Sequence, residues 1–94
     1  MNTELAKAWS KLDNDTKLEI IEQGIQMCDT NEGFLMLRYF AKAKSVCAYI
    51  TTKIDNHFCS EAVSQDTLFQ LFGEGHEFEE EDAEVILNWM NEQH

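Results

Sequence analysis

Residues 32–54 read EGFLMLRYFAKAKSVCAYITTKI, and the period assigned to this stretch decides the fold. Met36, Phe40, Ala43, Cys47, Ile50 and Ile54 recur at alternating steps of four and three, the spacing of an a/d stripe along one helix face. No proline interrupts the run, so the spacing predicts one continuous helix from about Glu32 to Ile54. At 1.5 Å per residue such a helix would be about 35 Å long. Phe34, Leu35, Leu37, Tyr39, Val46 and Tyr49 widen the apolar surface beyond a coiled-coil seam, which points to a central helix touched on several sides. Lys42, Lys44 and Lys53 take what solvent face remains.

Working outward, shorter helical patterns flank this stretch. Thr3 can cap a first helix through Leu12, with Leu5, Ala8, Trp9 and Leu12 on one face. Asp13-Asn14-Asp15 breaks and caps, and a second helix is expected from about Thr16 to Cys28, carried by Leu18, Ile21, Ile25 and Cys28. On the other side, Asp55-Asn56-His57 begins a polar break, and Ser60 or Ser64 can cap a helix containing Leu68, Phe69, Leu71 and Phe72, ended by Gly73-Glu74-Gly75. A last helix from near Phe78 or Glu79 to near Glu92 sets Val85, Ile86, Trp89 and Met90 against the core. The expectation is therefore an all-α fold, a compact bundle of four to five helices around the long central one.

Ninety-four residues leave room for one core, and 44% hydrophobic residues with six Phe, two Trp and two Tyr suffice to fold it. The expected domain is a single helical unit, 1–94. Cys28, Cys47 and Cys59 are odd in number, contain no CxxC pair and follow no apolar leader, which fits a reducing, cytoplasmic setting. Cys28 and Cys47 are expected to be buried as small hydrophobes. No run approaches the roughly 18 to 20 apolar residues of a membrane span, so no membrane partner is expected.

Charge divides the chain into a neutral part, 1–53, and a strongly acidic part, 54–94. Seven acids match seven bases in the first, and the second carries eleven acids with no Lys or Arg, so the whole net charge of −11 belongs to it. Glu74, Glu77, Glu79, Glu80, Glu81, Asp82 and Glu84 form its densest block. Acidic groups near a helix start favour the macrodipole and aid solubility. A field of one sign also steers a protein toward a basic partner, so these seven residues are the expected partner-binding face. Direct nucleic-acid binding through this face is not expected, because contacts to phosphates require Lys and Arg.

Other chemistries lack their residue patterns. His57-Phe58-Cys59 and His76 supply no second close ligand pair for zinc, and Asp13-Asn14-Asp15 lacks the glycine and bidentate Glu of a calcium loop. No metal, cofactor or catalytic residue is expected. Cys59 has no evident activating base, and no phosphate loop, GxSxG or HExxH occurs, so the chain is not expected to be an enzyme. Trp9, Tyr39, Tyr49 and Trp89 could line a ligand pocket, though aromatics at helical spacing usually pack the core; Tyr49 stands four residues before Lys53.

The expected function is that of a small acidic protein-binding regulator or inhibitor. Its acidic C-terminal face would dock on the basic, nucleic-acid-binding surface of a partner protein, mimicking phosphate, as a phage or mobile-element inhibitor of a host nuclease or defence complex would. Two alternatives stand beside it. One is a helical homo-oligomer, a homodimer for instance, or an adaptor built on the apolar third helix; the other is an immunity or antitoxin-type partner of one enzyme.

Overall fold

A computed structural model describes residues 3–54 and 59–93. Its elements run α1 (Thr3–Ser10), α2 (Asn14–Met27), β1 (Phe34–Phe40), β2 (Ser45–Thr51), β3 (Cys59–Val63), α3 (Gln65–Phe72) and α4 (Asp82–Glu92). The all-α bundle is thereby overturned: residues 32–54 form no long helix but an antiparallel β-hairpin, and β3 joins it to make a three-stranded sheet in the order β2-β1-β3.

The physical reason lies in the side chains themselves. Phe, Tyr, Val, Ile and Thr crowd 34–51, residues that lose rotamer freedom on a helix and fit a pleated surface. Alternation then sorts them. Leu35 and Leu37 on β1 and Val46 and Ala48 on β2 are buried in the core, in register as Leu37↔Ala48 and Tyr39↔Val46. Their neighbours Arg38, Phe40, Cys47 and Tyr49 turn to the opposite face, where Met36 is buried yet stands apart from the main core cluster. The strands reverse through Ala41–Lys44 without glycine or proline; Lys44 takes the left-handed conformation at φ 50° and donates to the Ala41 carbonyl at 3.4 Å. On the other side of β1 the pairing with β3 shifts register between Leu35 and Met36, a bulge that leaves Val63 opposite Leu35 in the core.

Helices α1 to α4 pack on the Leu35–Leu37 side of the sheet. Leu5 and Trp9 of α1, Ile21 and Ile25 of α2, Leu68 of α3, and Ala83, Ile86, Leu87 and Met90 of α4 join the strand residues in one cluster. Every element thus contributes to a single core. Asp13 caps α2, its carboxylate accepting from Thr16 N at 2.7 Å. Ser64, not Ser60, caps α3, its hydroxyl accepting from Thr67 N at 3.1 Å, and Gly73 ends that helix at φ 90°. Ser60 lies in β3.

Other details depart from the sequence reading. The last helix begins at Asp82, because Glu79, Glu80 and Glu81 are spent in a turn before it. Val85 is 43% exposed and does not face the core. Cys47 is exposed and Cys28 half-buried, because Cys47 falls on the outward face of β2 and Cys28 just past the end of α2. Asp55, Asn56, His57 and Phe58 lie outside the described residues. Among those described, no helix is long and apolar enough to cross a membrane.

Candidate acidic interface

The acidic block sits on the segment from Gly73 to Glu84, which joins α3 to α4 and is tied to the loop after α2. Phe78 N donates to the Asp29 carbonyl at 2.7 Å, Asn31 N donates to the His76 carbonyl at 3.2 Å, and Thr30 and Glu77 form an isolated antiparallel bridge. The Asn31 side chain is fully buried and its amide nitrogen donates to the Gly73 carbonyl. Phe78 plugs the segment into the core beside Phe72, with ring centroids 5.5 Å apart and edge to face. A run of like charges is thus held on a fixed backbone.

Asp82 organises the turn. Its Oδ2 accepts from Glu79 N at 2.9 Å while Asp82 N donates to the Glu79 carbonyl at 3.1 Å, a reciprocal pair resembling a capping box. The same oxygen meets His76 Nε2 at 2.7 Å, and the imidazole stacks on Phe72 with centroids 5.0 Å apart. Asp82 therefore spends one carboxylate oxygen inside the protein. Glu74, Glu77, Glu79, Glu80, Glu81 and Glu84 are all exposed, and among the described residues none pairs with a Lys or Arg.

Packing of α2 beside α4 enlarges this surface with acids from the neutral part of the chain. A groove of about 290 Å³ is lined by Leu18 and Glu22 of α2 and by Glu80, Glu81 and Glu84. A second of about 290 Å³ continues it past Leu18 to Asp15, Asn88 and Asn91. Asp15 and Glu22 lie in the charge-neutral part of the sequence, so charge along the chain does not mark them. Their spacing from Leu18, at i−3 and i+4, marks one face of α2, but nothing local says that α4 is its neighbour.

The aromatic candidates divide. Trp9 is 5% exposed and belongs to the core, with Lys17 Nζ 5.5 Å from its ring; Trp89 packs against that core half-buried. The Tyr49 hydroxyl meets the Cys59 thiol at 2.9 Å on the outer sheet face. Tyr39 lines a cleft between α1 and the hairpin turn. Among the described residues, no three His, Cys, Asp or Glu side chains gather as metal ligands. Compared with protein-family models, curated proteins and solved structures, the chain matches none.

Proposed function

We propose that this protein is a small acidic regulator or inhibitor, not an enzyme, that binds a basic protein surface through the ridge formed by Glu74–Glu84 and the acids of α2. The observation that carries the reading is the Leu18 groove, where Glu22 of α2, Glu80 and Glu81 of the turn before α4, and Glu84 of α4 converge without a cationic partner among the described residues. Carboxylates fixed at separate points on a rigid scaffold can occupy Lys and Arg sites that a polyanion would otherwise neutralise, at little entropic cost on binding. The partner class is a nucleic-acid-binding protein whose groove the ridge blocks, in the manner of a phage or mobile-element inhibitor. Three free cysteines, one of them exposed, favour a reducing cytoplasmic setting. The long helix that would have carried a homodimer is a hairpin, so that basis for an assembly role is gone.

The test is capture from cell lysate with the native chain and with a Glu22→Gln, Glu80→Gln, Glu81→Gln, Glu84→Gln variant, followed by competition. The reading expects a basic protein that the native chain retains at low salt, that the variant loses, and that duplex DNA or RNA displaces. A captured protein that binds both chains equally and ignores nucleic acid refutes it.

A further inference from the structure

The geometry points to a second site at the opposite charge pole: a cleft between α1 and the β1–β2 turn that binds a small phosphate monoester. The cleft measures about 580 Å³, within the roughly 300 to 1,000 Å³ of small-molecule sites. Lys7 of α1 and Lys11 just past its end are joined by the Lys11 N to Lys7 carbonyl hydrogen bond of 3.3 Å, and Lys44 lines the cleft from the hairpin. Tyr39 and Leu12 supply an apolar wall, and Glu4 also lines the cleft. Three lysines thus line one cleft in a protein of net charge −11.

Lys44 is the second observation. It adopts φ 50° at the end of the turn, a conformation that glycine or asparagine takes at less cost and that a lysine occupies under strain. A position where the backbone prefers glycine carries instead a cation that lines the cleft. Such a breach of a local rule is expected where a side chain is needed for binding.

The charge pattern selects the ligand. A phosphate monoester is dianionic near neutral pH and accepts through three oxygens, which suits three ammonium donors better than a lone carboxylate does. Its organic group would rest on Tyr39 and Leu12. A compact dianion feels mainly charges within about 8 Å at physiological salt, whereas an extended polyanion also meets the acidic remainder of the surface. The site therefore takes a small ligand and rejects nucleic acid. It is independent of the acidic ridge.

Amide NMR titration of the native chain with phenyl phosphate, inorganic phosphate and a single-stranded DNA oligonucleotide tests this, alongside Lys44→Gly and Lys7→Gln/Lys11→Gln variants. Phenyl phosphate is expected to move the amides of Lys7, Lys11, Tyr39, Ala41 and Lys44 saturably, and more tightly than inorganic phosphate. Lys44→Gly is expected to melt higher, because glycine fits the left-handed position, yet to bind about tenfold more weakly. The Lys7→Gln/Lys11→Gln variant should lose binding as well. Unchanged affinity in both variants, equal binding of inorganic phosphate, or tighter binding of the oligonucleotide at these residues overturns the proposal.

Discussion

Gly24 of α2 lies directly against Ala48 of β2: a Cβ built on Gly24 would stand 3.0 Å from both the Cβ and the carbonyl carbon of Ala48. This contact sets how closely the helix layer approaches the sheet. Ala48 is itself buried, and its backbone is held in the ladder opposite Leu37, so it cannot yield without disturbing β1. Gly24→Ala should gain about 1 kcal/mol in helix propensity but lose about 1 to 3 kcal/mol to overpacking, a net loss of up to about 2 kcal/mol. Urea denaturation measures it. A variant more stable by about 1 kcal/mol would mean that α2 lifts from the sheet at no cost.

That contact also shows why the sheet was not legible. When nearly every position of 34–40 and 45–50 is apolar, the same residues satisfy steps of three and four as well as alternation. Cys47 and Ala48 would look equally buried on a helix; only the strand makes one exposed and the other buried. The turn between the strands has no glycine to announce it, since Lys44 holds the left-handed position. By contrast α3 was legible, because Ser64 and Gly73 are local signals that act within a few residues of themselves. The acidic ridge was legible where it is contiguous in sequence, at Glu74–Glu84. Asp15 and Glu22 depended on a tertiary neighbour and were not.

Asp82 should matter more to the backbone turn than to the histidine. Asp82→Ala removes the acceptor for Glu79 N and for His76, with an expected loss of about 1 to 2 kcal/mol, whereas Asp82→Asn keeps an acceptor oxygen and should lose less. The two side chains of the His76–Asp82 pair are 32% and 18% exposed, so solvent competes for both partners. A double-mutant cycle should therefore return a coupling below about 1 kcal/mol. A much larger coupling would identify the ion pair, not the turn, as what fixes the acidic segment.

Acid should weaken the start of α2. The backbone hydrogen bond from Thr16, and then its side-chain bond, hold the Asp13 carboxyl below its ordinary value of 3.8. A carboxyl depressed in the folded state adds stability that is present above the unfolded value and lost as pH falls through the folded one. Below pH 3.8 the native chain should lose urea resistance faster than Asp13→Asn, which keeps a capping oxygen but does not titrate. Taking the difference between the two chains cancels the contributions that both share. Parallel pH profiles would show that Asp13 contributes nothing through its charge.

The acidic groove sets stability against binding. Glu22 of α2 lines the Leu18 groove together with Glu80, Glu81 and Glu84, and like charges gathered on one surface repel. Glu22→Gln with Glu80→Gln should therefore raise the melting temperature at low salt, and added salt should stabilise the native chain more than the variant because it screens the same repulsion. If the ridge binds a basic partner, the variant should also associate more slowly, with a shallower salt dependence. Greater stability with slower association would mean that the repulsion is retained for binding, whereas greater stability with unchanged association would reduce the groove to a solvated surface.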